Sequence, residues 1–235
     1  FLKSNFILMI VNFYYIIFYI IIIFIIVFFI TQHSFIALNF DNFQSINIKQ
    51  NFDWQEYLKN NWKIIRQECF DATQNAPITF ENRNKYWDEI DKTNVKNKWL
   101  LGHESVENTW LNYGLVIGHD FIVENCELCP QTYNILKTMV NNGVKIKVAG
   151  FSWLRPNSYI PFHTDPNDEV VYHLGLFVPE GNKAYIHVKY DPSLNKNDDI
   201  IYHKNGHIIT FNDNNLHSAV NKSNRERIIL YLLIE

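Results

Sequence analysis

KIKVAGFSWL (residues 145–154) and VVYHLGLFV (170–178) decide the fold. Each run is short, rich in β-branched and aromatic residues and bounded by Gly, Pro, Asn or Asp, the pattern of a strand between turns. Similar runs follow at 184–190, 200–202, 207–211 and 227–234. With the extended segments that carry His163 and His217, they make about eight strands and no long helix after Gly143, which points to a jelly roll or barrel. Asn205-Gly206, between two of these runs, is a two-residue hairpin signal.

Upstream the spacing changes from two to about four. Asp53 and Glu56 form a capping-box pattern, and Trp54, Leu58, Trp62, Ile65 and Cys69 lay an apolar stripe along a helix that Pro77 must end. Large aromatics on such a stripe belong to a core. No sustained period runs through 79–129. Pro130 then suits a first helical position, and Tyr133, Leu136, Lys137 and Val140 continue a helix to Asn142-Gly143. The expected domain is mainly β with flanking helices. It covers 52–235, with a helical first part at 52–142 and a β core at 143–235.

Residues 6–30 are almost wholly Ile, Phe, Tyr, Leu and Val, with no charge. Roughly 20 such residues span a bilayer as a helix, whereas the apolar core of a cleaved signal runs about 7 to 15. The expectation is a retained N-terminal transmembrane anchor within 1–32, followed by a polar tether at 33–51. Lys3 precedes the span and Asp41 is the first charge after it, favouring a type II, single-pass arrangement with the domain on the extracytoplasmic or ER-lumenal side. Lys and Arg number 21 against 24 Asp and Glu, without blocks of like charge, so no phosphate-contacting surface for nucleic acid is expected. Cys69, Cys126 and Cys129 are too few for a disulfide scaffold. The Cys126/Cys129 spacing lacks a second half for zinc, so they read as structural thiols or, outside the cytosol, one disulfide.

The chemistry concentrates in Pro161-Phe162-His163-Thr164-Asp165-Pro166. Side chains alternate along a strand, so His163 and Asp165 point the same way. A second histidine from a distant strand would complete a 2-His-1-carboxylate triad with three open metal positions, and His217 is the best placed. Arg227 begins a run that should be buried, where an arginine without a partner is expensive and a bound carboxylate explains it. His203 and His207 flank the Asn205-Gly206 turn and read as exposed.

Several ordered motifs resemble the aspartyl/asparaginyl β-hydroxylase family of 2-oxoglutarate oxygenases. They are Asn61-Trp62-Lys63-Ile64-Ile65-Arg66-Gln67-Glu68, Cys129-Pro130-Gln131-Thr132, Phe151-Ser152-Trp153-Leu154-Arg155-Pro156, Ile160-Pro161-Phe162-His163, His173-Leu174-Gly175-Leu176, Phe211-Asn212-Asp213 with His217, and Arg227-Ile228-Ile229-Leu230. The resemblance implies a double-stranded β-helix, a cupin-like jelly roll, binding Fe(II), 2-oxoglutarate and O2. It implies His163 and His217 as iron ligands, Arg227 with Ser152 on the distal carboxylate, and His173 near the other end of the cosubstrate. It suggests hydroxylation at the β-carbon of Asp or Asn in a polypeptide. An acyl lipid, or a jelly-roll module without catalysis, are the other readings.

Two positions depart from the family. Animal members have glycine where this chain has Asp165, so Asp165 either completes the triad or hydrogen-bonds a water on the metal. An arginine frequent two residues before the HLGL histidine is Val171 here, which removes a contact and leaves the substrate open.

Overall fold

Strand β5 (Ile146–Leu154) is buried along nearly its whole length because both of its faces are covered. β12 (Arg227–Ile234) lies beside it, equally enclosed. That is why both read as continuous apolar runs rather than alternating ones. The computed structural model describes residues 52–82, 95–102, 105–165, 170–191, 193 and 196–235. The expected anchor and tether lie outside the described residues, and among these no helix is long and apolar enough to cross a membrane.

Within the unit Asp53–Glu235 two sheets form. β1 (Ile78–Asn82), β2 (Trp99–Leu101), β3 (Trp110–Ile117), β5, β12, β7 (Val170–Phe177) and β10 (Ile208–Phe211) follow one another across the larger sheet, with β4 (Asp120–Phe121) paired to β3. β6 (Ser158–His163), β11 (Leu216–Asn221), β8 (Ala184–Lys189) and β9 (Asp199–Tyr202) form the smaller one. The inner faces meet in a core of Val148, Leu154, Val171, Phe211 and Leu233 against Ile160, Ile186, Val188 and Ala219. From β5 to β12 the chain changes sheet at every step except β8 to β9, and the domain is mainly β as expected.

Helices α1 (Trp54–Asn60), α2 (Trp62–Asn75), α3 (Val123–Cys126) and α4 (Pro130–Asn141) lie outside, with α2 on β7 and α3 on β3. Asp53 caps α1 by accepting from Glu56 N at 3.0 Å. Leu58, Ile65 and Cys69 of the stripe are fully buried, and Trp54 meets Tyr172 edge-on at 4.9 Å. Glu68 explains two motifs at once. Its buried carboxylate accepts from Gln131 N and Thr132 N at 2.8 and 2.6 Å, satisfying the first turn of α4. Glu68→Ala is expected to lower stability by about 2–3 kcal/mol in urea unfolding, because two buried N–H groups lose a charged acceptor.

Two expectations are corrected. The stretch 52–142 is not purely helical: β1 to β4 occupy 78–121, and β3 joins the larger sheet beside β5. The Asn205-Gly206 turn does not close a hairpin, since β9 pairs with β8 and β10 with β7. It crosses between sheets instead, tied to β7 by Gly206 N to Gly175 O (2.8 Å) and Val178 N to the Asn205 side chain (2.8 Å). Gly206 has φ +73, and a Cβ on Gly175 would sit 2.2 Å from Lys204 O, so the crossover needs both glycines. Finally, the cysteines form no disulfide. All three are buried free thiols, as the structural reading expected, and burial pushes Cys126 up to about 12.

Candidate active site

His163 and His217 are direct cross-strand partners on β6 and β11, with ring centroids 4.2 Å apart. Regular alternation would not have brought this about. Ser158 and Ile160 face inward, and from there Phe162 would follow. Between the pairs His217↔His163 and Ala219↔Ile160, however, β6 carries one extra residue. This bulge turns Phe162 to solvent and His163 to the interior.

Each histidine Nδ1 faces a carbonyl that can only accept: Pro161 O at 2.7 Å for His163, Asn215 O at 2.9 Å for His217. Both Nδ1 atoms therefore carry the proton, and both Nε2 atoms present lone pairs, the form a metal requires. Burial first, and then His163 beside it, hold His217 below its usual range, so it is neutral and ready to ligate near pH 7.

Asp165 arrives by a different route from the one expected. β6 ends at His163, and the backbone beyond it is pinned by Asp165 N to Asp213 O at 3.0 Å. The Phe211-Asn212-Asp213 motif thus holds the carboxylate in place. Asp165 Oδ2 lies 3.8 Å from His163 Nε2, and ligand atoms of His163, Asp165 and His217 all fall within 4.8 Å of one another. Donors on adjacent sites of one octahedral ion sit about 3 Å apart, so a small adjustment would close this set on a cation.

Deeper in the same interior stands Arg227, 1% exposed, its Nε and Nη1 without hydrogen-bond partners. Burial alone pushes its guanidinium down to about 9. An unpaired buried cation is costly unless an anion joins it. On the adjacent strand β5, directly across from Ile229, Ser152 accepts from Trp110 Nε1 at 2.9 Å, leaving its own hydroxyl proton to donate.

Residues 59–235 match the sequence model of aspartyl/asparaginyl β-hydroxylases. The chain belongs to the aspartyl/asparaginyl β-hydroxylase family. Its activity class is that of the 2-oxoglutarate- and Fe(II)-dependent hydroxylases, which are dioxygenases. No curated protein matches the sequence. Among solved structures, an oxidoreductase of the 2OG-Fe(II) oxygenase family from Burkholderia pseudomallei is similar at 13% identity and a TM-score of 0.40, covering 54% of this chain and 68% of that one. An oxalate oxidase (11%, TM-score 0.36) covers 66% of this chain, which spans only 63% of it. A cupin domain from Bordetella pertussis (9%, TM-score 0.29) covers 39% of this chain and 91% of itself. The family assignment rests on the sequence match and not on these likenesses.

In this family member His173 lies close to Arg227. His173 lies on the inner face of β7 opposite Tyr231, and Phe211 is edge-on to its ring at 5.2 Å. Val171, where relatives often carry arginine, is buried in the sandwich core. Two residues escaped the sequence reading. Asn112, cross-strand from Ser152, is buried with its Nδ2 lacking a partner. His203 was expected to be exposed beside the turn, but it is 3% exposed, since the crossover carries it inward; His207 is exposed as expected.

His173 and His203 are both held well below the ordinary value of 6.5, by burial first, then by His203 and Arg227 for His173 and by Arg227 for His203. Unfolded, each ring would gain a proton near 6.5 that the folded ring refuses. Stability is therefore full above that pH and falls as pH drops below it, by up to about 1.4 kcal/mol per pH unit for each ring. Urea unfolding of the metal-free protein between about pH 7.5 and 5.5 should show this decline.

Proposed function

We propose that His163, Asp165 and His217 hold Fe(II), that Arg227 and Ser152 take the distal carboxylate of 2-oxoglutarate, and that the enzyme hydroxylates the β-carbon of Asp or Asn in a polypeptide, on a double-stranded β-helix scaffold. The observation that carries this is Arg227, 1% exposed with Nε and Nη1 unpartnered and, like His217, close to His173. Two imidazole nitrogens and a carboxylate are the donor set of a facial triad with open positions, and a planar fork of donors matches a carboxylate.

Once bound, iron with dioxygen would oxidise 2-oxoglutarate to succinate and carbon dioxide and transfer one oxygen atom to a substrate C–H bond. The chain's own groups supply the geometry. The carbonyls of Pro161 and Asn215 fix the histidine tautomers, Asp213 O fixes the Asp165 backbone, and Arg227 sets the depth of the oxo acid by pairing with its tail. Phe211 and Tyr231, both against His173, line the interior with apolar surface and help keep water out.

The test is to incubate the iron-loaded protein with 2-oxoglutarate and either Asp- and Asn-containing peptides or acyl lipids, measuring succinate and a gain of one oxygen by mass. Peptide hydroxylation supports the proposal, lipid hydroxylation reassigns the substrate, and no succinate with either would indicate a binding module. Residues 6–30 are further proposed to anchor the enzyme as a type II membrane protein, on their length and lack of charge. Protease digestion of sealed vesicles should then leave the domain protected.

A further inference from the structure

His203 has no place in the reading above, yet it is buried beside two groups that do. Its Nε2 lies 3.2 Å from His173 Nδ1, the rings stack at 5.5 Å with 13° between their planes, and its own Nδ1 has no hydrogen-bond partner. Its backbone is fixed by His203 N to Ala184 O at 3.0 Å. Burial and the charge of Arg227 keep both rings neutral, so each carries one N–H.

One hydrogen serves the contact, and only two arrangements supply it. If His173 Nδ1 donates, His203 Nε2 accepts and the His203 hydrogen sits on Nδ1, a buried atom with no acceptor within hydrogen-bond distance, in the field of a cation that repels it. If His203 Nε2 donates, His203 Nδ1 is a bare lone pair, which the nearby guanidinium favours. His173 then accepts at Nδ1 and carries its hydrogen at Nε2. The second arrangement avoids the stranded donor.

We propose that His203 is a positioning residue for the cosubstrate: it locks His173 in the Nε2–H tautomer, so that His173 presents a hydrogen-bond donor to the anionic oxo acid. This rests on the assignment of 2-oxoglutarate to the Arg227 interior. His173 sits opposite Tyr231 of the strand that carries Arg227, and Phe211 packs against both its ring and that of His217, so it is near the group that would take the cosubstrate's tail and near a metal ligand. A neutral ring there can serve an anion only as a donor, and His203 makes it one.

The test uses the full chain loaded with Mn(II), which does not turn over. Calorimetry would measure the affinities for Mn(II) and for 2-oxoglutarate in the parent, His203→Phe and His203→Gln, and ring 15N NMR of the metal-free parent would read the His173 tautomer. The expected result is unchanged Mn(II) affinity in every form, 2-oxoglutarate bound about tenfold more weakly by His203→Phe, recovery in His203→Gln through its amide N–H, and His173 protonated at Nε2. Equal 2-oxoglutarate affinity in parent and His203→Phe, or His173 protonated at Nδ1, overturns the positioning role while leaving the cosubstrate site intact. A parent that binds Mn(II) but no 2-oxoglutarate overturns the site and the role together. Should His203→Phe not fold, the Gln variant and the parent's tautomer still decide.

Discussion

Arg227→Met is expected to make the metal-free protein more stable and unable to bind 2-oxoglutarate. Arg227 is buried at 1% exposure with Nε and Nη1 unpartnered, inside a strand whose neighbours Ile228, Ile229 and Leu230 are all apolar. Replacing buried charge by an apolar side chain of similar length is commonly neutral or stabilising by about 1–4 kcal/mol. The same change removes the buried fork of donors proposed to take the distal carboxylate, and 2-oxoglutarate affinity should fall by at least about a hundredfold. Thermal unfolding and calorimetry on one sample check both. A variant that lost stability and still bound the oxo acid would show Arg227 to be a structural cation.

His217→Ala is expected to abolish turnover, by about a thousandfold or more, or about 4 kcal/mol of barrier. The strand should tolerate it, because β11 is held to β6 and β8 by backbone pairing that does not involve the His217 side chain. Metal affinity should fall with activity while the unfolding midpoint of the metal-free protein changes little. His163→Ala should behave alike. Asp165→Ala separates two roles: lost metal means the carboxylate ligates, and retained metal means it acts through a water.

β5, β7 and β12 fall within a residue of their expected bounds because enclosure on both faces demands unbroken apolar runs, and β8, β9 and β10 do so equally because turn residues bracket them. β3 is enclosed too, but Asn112 and Gly114 interrupt its pattern; Asn112 faces the interior polar side by side with Ser152, and a polar residue with a ligand-facing place looks like a loop residue. Strand alternation pointed to His163, Asp165 and His217, which the fold does bring together, but through a mechanism that alternation does not supply. A bulge aims the first and a backbone bond to Asp213 places the second. His203 was misread because Asn205-Gly206 signals a turn without saying whether it joins two strands of one sheet or crosses between two sheets. Local turn chemistry is the same in both, and only tertiary pairing distinguishes an exposed histidine from a buried one.

Equilibrium titration without oxygen addresses the central claim most directly: Fe(II) first, then 2-oxoglutarate, into the parent, His163→Ala, His217→Ala and Arg227→Met. The expected result is one Fe(II) per parent chain, 2-oxoglutarate bound tightly only after the metal, both ligands lost in the histidine variants, and metal kept without 2-oxoglutarate in Arg227→Met. Fe(II) bound equally well by both histidine variants would contradict it.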